Sequence, residues 1–139
     1  MRAPVFLDSN VLVYAVAGKQ TNPTEFAVAR HIIAHENFEV SPLVIGEFLS
    51  VVRRPQQEAI SNEEAQVWID ELAIHSSIEI DVALIQAAQY FRERYQMQFW
   101  DAAHIASAER LGISTLYSED MSHGQMYGSV IVINPFKVN

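Results

Sequence analysis

The stretch VFLDSNVLVYA, residues 5–15, is an apolar run broken by three consecutive polar residues, Asp8, Ser9 and Asn10. Three residues are few for a loop and costly if buried without partners. A strand over Pro4–Leu7 that stops at Asp8, followed by a helix opening over Val11–Val16, accounts for both apolar halves. The polar break itself keeps two readings. Asp8, with Ser9 or Asn10, caps the helix in a tight turn, or the strand delivers a carboxylate to its own end for chemistry.

Outward from this stretch the same alternation continues. TEFAVARHIIAHE, from Thr24 to Glu36, has apolar residues at helical spacing, with Thr24 as candidate cap. A short strand over Phe38–Ser41 precedes a helix over Pro42–Arg53, with Pro42 suited to an early helical position. Ser61 and Glu64 have capping-box spacing ahead of VWIDELAI. SIEI, residues 77–80, reads as a strand, and Asp81 caps a helix running through Tyr95. Trp100 to Leu111 form a further helix that Gly112 stops. STLY (114–117) and SVIVI (129–133) are the remaining strands. With no repeat, low-complexity tract or linker, residues 1–139 form a single domain. Short, apolar, β-branched strands alternating with helices predict an α/β fold, a parallel sheet covered by helices on both faces. Ligands in such sheets gather at the carboxyl ends of the strands. Two polar stops fall there: Asp8-Ser9-Asn10 and Ser118-Glu119-Asp120.

Composition removes several classes of function. Half the residues are hydrophobic and 19% are charged, which excludes a disordered chain. The apolar stretches end well before the roughly 18 residues needed to span a bilayer, and Asp8 interrupts the N-terminal one before a signal-peptide core forms. A soluble, cytoplasmic domain is the expectation. There are no cysteines, which rules out disulfides, thiolate metal sites and cysteine nucleophiles. The net charge is −8, from 17 acidic and 9 basic residues, and the two lysines, Lys19 and Lys137, lie far from the central motifs. That balance is awkward for a nucleic-acid binder, which meets phosphates with Lys and Arg. Either the acids form a solvated surface, or several are concentrated in one site where bound cations change the sign a ligand sees.

Two further acids stand in unusual surroundings. Glu47 lies in SPLVIGEFLSVV and Asp101 in QFWDAAHIASA. Helices that are apolar nearly all round are buried, and a sequestered carboxylate must be paired, hydrogen-bonded or coordinated. Arg53 and Arg54 are about two turns from Glu47, too far for a same-helix pair. Arg2, Arg30 and Arg92 are possible long-range partners. The joint solution is that Asp8, Glu47, Asp101 and Asp120 converge on hard divalent cations, Mg²⁺ or Mn²⁺. Each acid also has a plainer role: Asp8 as a cap, Asp101 at a helix N-terminal end, Asp120 as a turn residue. Glu47 has the fewest. His31 and His35 read as surface or interface residues, and His123 as a candidate substrate contact. His104, one turn after Asp101, reads first as a packed, satisfied core residue and second as a neighbour of the site. Phe91, Tyr95, Phe99 and Trp100 read as core or dimer surface, Arg53 and Arg54 as a solvated helix end.

FLDSNVLVYA, GEFLSVVRR, FWDAAHIASAERLG and LYSEDMSHGQ…VIVINPF together resemble the PIN domain, in particular the VapC-like toxin ribonucleases of type II toxin–antitoxin systems. The resemblance covers nearly the whole chain in order and with compatible spacing. It implies a three-layer α/β/α sandwich around a central five-stranded parallel sheet. It further implies an Mg²⁺- or Mn²⁺-dependent endoribonuclease, inhibition by a small cognate antitoxin, and a homodimer. By motif position Asp8, Glu47, Asp101 and Asp120 are the catalytic and metal-binding quartet. Ser9 and Ser118 take small hydroxyl positions beside it, and Asn10, Glu119 and His104 are secondary candidates. Two rival functions stand beside this one. A phosphotransfer protein would use Asp8 as the phosphorylated nucleophile and needs a lysine nearby. A binding module would receive a basic partner segment in the acidic pocket without turnover.

Overall fold

Phe6, Leu7 and Leu116 have no exposed surface because β1 (Val5–Leu7) and β3 (Thr115–Tyr117) lie side by side in the middle of a sheet. The computed structural model describes residues 2–137. The sheet has five strands in the order β2-β1-β3-β5-β4, where β2 is Phe38–Glu39, β4 Met126–Tyr127 and β5 Val130–Ile133. Phe6 pairs in register with both Glu39 and Leu116, and Leu116 with Val132, all in parallel. Only β4 is antiparallel, as an edge strand against β5. From β1 the chain builds outward to β2 and then crosses back to β3 on the other side. The strand order therefore reverses between β1 and β3, the place where open α/β sheets form a crevice at their carboxyl ends.

Six helices cover the sheet: α1 (Ser9–Ala17), α2 (Pro23–His35), α3 (Pro42–Val52), α4 (Asn62–Ala73), α5 (Val82–Tyr95) and α6 (Phe99–Arg110). Their starts follow the sequence chemistry. The Ser41 hydroxyl accepts from Val44 N at 3.2 Å, and the Asp81 carboxylate from Leu84 N at 2.8 Å. Ser61 and Glu64 complete a reciprocal capping box, with bonds of 3.1 and 3.0 Å. In α6 every residue from Ala102 to Ala108 is buried, and its alanines allow close packing on α5.

Three expectations are corrected. Thr24 does not cap α2: the helix begins at Pro23, whose fixed φ suits the first helical position, and no side chain caps it. SIEI (77–80) forms no strand and joins no ladder. It lies along the outer edge of β2, where the Glu39 carboxylate accepts from Ser77 N at 3.1 Å and Val40 N donates to His75 O at 2.9 Å. The fifth strand is instead Met126–Tyr127, which pairs with β5 through a turn at Gly128 with φ +60.

Gly128 also carries the tightest constraint in this region. Its N–H donates to the Tyr95 hydroxyl at 2.8 Å, and a Cβ there would sit 2.8 Å from Glu109 Oε2 and 2.9 Å from the Phe91 ring. Gly128→Ala is expected to cost about 1–3 kcal/mol of stability in urea denaturation. Gly124→Ala, at φ +83 with open space around the position, is expected to cost less. Equal losses for the two variants would contradict the account.

Candidate active site

Because β1 and β3 are adjacent and parallel, the residues that follow them reach the same edge of the sheet. Asp8 N donates to Tyr117 O at 3.0 Å, which sets the two strand ends level. The Asp8 side chain is 2% exposed, and both its oxygens accept hydrogen bonds. Oδ1 accepts from Ser9 N at 2.7 Å, which caps α1, and Oδ2 accepts from Ser118 Oγ at 2.7 Å. The Asn10 amide nitrogen bridges the two strand ends, at 3.4 Å from Asp8 Oδ2 and 3.1 Å from Asp120 Oδ2. Ser118 Oγ in turn accepts from Asp120 N at 3.1 Å. Asp8 is thus both the cap of α1 and a carboxylate buried at the end of its strand.

Glu47 enters from α3, and Asp101 and His104 from α6. Nε2 of the buried His104 lies 2.6 Å from Glu47 Oε1 and 3.6 Å from Asp8 Oδ1. One ligand atom each from Asp8, Glu47 and His104 falls within 4.8 Å of the others. Burial first, and the charge of Asp8 next, push the half-buried Asp101 carboxyl up to about 6. The Asp8 carboxyl is also raised, chiefly by burial, against the opposing effects of His104 and the Ser118 and Ser9 hydrogen bonds. For His104, burial works against the charge, but the Glu47 hydrogen bond and the neighbouring carboxylates outweigh it, and its pKa is raised. Asp101 and Asp120 line one cavity of about 710 Å³, together with Gln98, Gln125, Tyr95 and Tyr127.

Of the quartet expected from the sequence, Asp8 and Glu47 lie together with His104, Asp120 is tied to Asp8 through Asn10, and Asp101 is near enough for its charge to act on the other three; the four differ in exposure. Asp8 is buried, Asp101 partly buried, Asp120 exposed, and the Glu47 side chain is 37% exposed rather than sequestered. Of the secondary candidates, Ser9 holds Asp8 Oδ1 through its backbone N–H and more distantly, at 3.5 Å, through its hydroxyl, and Asn10, Ser118 and His104 also touch the carboxylates. Glu119 is drawn away: it accepts from the Tyr14 hydroxyl at 2.8 and 3.1 Å, a pairing that sequence reasoning missed. Burial and then this hydrogen bond push the Tyr14 phenol up to about 12. His104 is packed but not satisfied, since its Nδ1 has no hydrogen-bond partner. Trp100 is half-exposed and shares a cavity of about 320 Å³ with Glu47. His123 Nδ1 accepts from Asn134 N at 2.9 Å in the loop after Asp120. The long-range cations look elsewhere. Arg2 pairs with Glu36 at 2.9 Å, Arg30 donates to Ala15 O at 2.6 Å, and Arg53 donates to Ile60 O and Asn62. Among the described residues no lysine or arginine forms an ion pair with Asp8, Glu47, Asp101 or Asp120. Two carboxylates and one imidazole, from Asp8, Glu47 and His104, stand close enough together to hold a metal ion, and the carboxylate oxygens suit a hard divalent one.

The same charges fix the sign of a pH effect in the metal-free protein. Asp8 and Asp101 are held above the unfolded value of 3.8, and His104 above 6.5. The folded state binds these protons more tightly, so their contribution is present at low pH and lost as pH rises through the raised values. Glu64 and Asp81 are held low, so their contribution disappears only below the ordinary carboxylate range. Chelator-treated protein is expected to melt a few degrees higher at about pH 5 than at about pH 7.5, with a smaller difference in Asp101→Asn. A midpoint that falls on acidification to pH 5 would contradict this.

The sequence matches the family model of the PIN domain over residues 5–128. No curated protein sequence matches the chain. Among solved structures, the fold is similar to Mycobacterium tuberculosis VapC20, a sarcin-ricin loop cleaving toxin. That superposition has a TM-score of 0.65 at 17% identity and covers 84% of this chain and 91% of that one. A toxin–antitoxin complex from Klebsiella pneumoniae superposes with a TM-score of 0.67 at 16% identity, over 96% and 99%. FitAcB from Neisseria gonorrhoeae does so with a TM-score of 0.61 at 18% identity, over 96% and 99%. At these identities the structural likeness concerns the fold, whereas the family match spans most of the sequence and includes Asp8, Glu47, Asp101 and Asp120. The chain belongs to the PIN domain family.

Proposed function

We propose that this protein is an Mg²⁺- or Mn²⁺-dependent endoribonuclease, the toxin of a toxin–antitoxin pair, with Asp8, Glu47, Asp101 and Asp120 as its catalytic and metal-binding residues. One observation supports the reading: Asp8 and Glu47 offer ligand atoms within 4.8 Å of one another beside His104, and among the described residues no lysine or arginine pairs with them, with Asp101 or with Asp120. A bound divalent cation there supplies Lewis acidity toward water and a phosphodiester. The chain's own residues do the positioning. Ser9 N, Ser118 Oγ and Asn10 Nδ2 fix the Asp8 carboxylate, and Asn10 fixes Asp120 relative to it. The cavity beside Asp101 and Asp120 is of a size suited to a small-molecule or nucleotide moiety.

The toxin and toxin–antitoxin neighbours support a cognate antitoxin as partner, and a net charge of −8 favours a basic antitoxin segment in the acidic site. Exposed Val82 and Ile85 on α5 support a homodimer. No helix among the described residues is long and apolar enough to cross a membrane, and a cytoplasmic setting accords with that. Phosphotransfer through Asp8 is disfavoured, because among the described residues no lysine pairs with that carboxylate.

Mg²⁺ titrated into the purified protein with single-stranded RNA is expected to switch on internal cleavage. Asp8→Asn and Asp101→Asn are each expected to lower the rate by about 100-fold or more. Equal cleavage by wild type and variants would sink the assignment. Tight antitoxin binding without metal-dependent turnover would favour the binding-module reading.

A further inference from the structure

His104 is fully buried on α6, one turn after Asp101, in a position that a leucine or methionine would fill at no polar cost. Its Nδ1 is buried without a hydrogen-bond partner, a penalty that core packing alone does not explain. The other ring nitrogen faces two acids, Glu47 Oε1 at 2.6 Å and Asp8 Oδ1 at 3.6 Å, so Nε2 carries the proton. Glu47 has little other support. It sits in the middle of α3, its side chain is 37% exposed, and among the described residues the His104 contact is its only side-chain hydrogen bond. A free glutamate side chain samples many rotamers, and ordering it carries an entropy cost.

We propose that His104 is a positioning residue of the cation site, whose Nε2–H holds Glu47 Oε1 and leaves Glu47 Oε2 free to face the site. The inference rests on the metal-dependent reading above and extends it to a residue outside the carboxylate quartet. Residues that orient metal-binding carboxylates through hydrogen bonds change affinity when removed, even though they never touch the ion.

The test uses the geometry of amide side chains. The glutamine Nε2 atom lies about where His Nε2 does, and the asparagine Nδ2 atom about where His Nδ1 does. Mn²⁺ binding is read from the electron paramagnetic resonance signal of the free ion, on wild type, His104→Gln and His104→Asn, with folding checked by circular dichroism. His104→Asn is expected to weaken Mn²⁺ binding about 10- to 100-fold, and His104→Gln to stay within about threefold of wild type. Glu47→Gln/His104→Asn is expected to bind no more weakly than Glu47→Gln alone, because the two residues act through one contact. Unchanged Mn²⁺ affinity in His104→Asn overturns the inference, as does an equal loss in His104→Gln, and both outcomes leave the metal reading standing. A wild-type protein that takes up no Mn²⁺ overturns the metal reading and this inference with it.

Discussion

The burial of one carboxylate organises this molecule. Asp8 is 2% exposed at the end of β1, and it is tolerated there because Ser9 N, Ser118 Oγ and Asn10 Nδ2 all donate to it. Each donor depends on the sheet order. Ser118 reaches Asp8 only because β3 lies beside β1, and Asn10 spans to Asp120 only because both strand ends are level. A hydrogen-bonded carboxylate still repels its neighbours. Burial raises the Asp8 and Asp101 carboxyls first, and the Asp8 charge adds to it at Asp101, so both protons are held more tightly than in water.

The proposed ribonuclease activity would require a chain of net charge −8 to act on a polyanion. The arginines with resolved partners are spent on structure: Arg2 with Glu36, Arg110 with Asp81, Arg30 on a helix carbonyl and Arg53 on the α3–α4 connection. In the proposed function, the positive charge that meets phosphate is supplied by cations held by the acids themselves. The acidity and the proposed nucleic-acid chemistry are two aspects of one arrangement.

Much of this was legible in the sequence because the informative signals were local. A strand that ends in Asp-Ser-Asn, a capping box at Ser61 and Glu64, a cap at Asp81 and a stop at Gly112 are all decided by residues a few positions apart. Glu47 and Asp101 were conspicuous because they interrupt apolar helices. What the sequence hid was pairing over distance. SIEI has the composition of a strand, but no neighbour completes its ladder at the β2 edge, whereas the two-residue β4 exists only through the Gly128 turn and β5. His104 with Glu47 and Tyr14 with Glu119 are 57 and 105 residues apart, so no spacing rule links them. Thr24 is no cap because Pro23, directly before it, takes the first helical position.

The central claim is that the carboxylates converge because they share a cation. Crystals soaked in Mn²⁺ and measured for anomalous scattering test it most directly. The account predicts an anomalous peak among Asp8, Glu47, Asp101 and Asp120, with carboxylate oxygens at about 2.0–2.3 Å. An Mn²⁺ peak elsewhere on the surface, with the space between these four side chains empty at saturating metal, would contradict it.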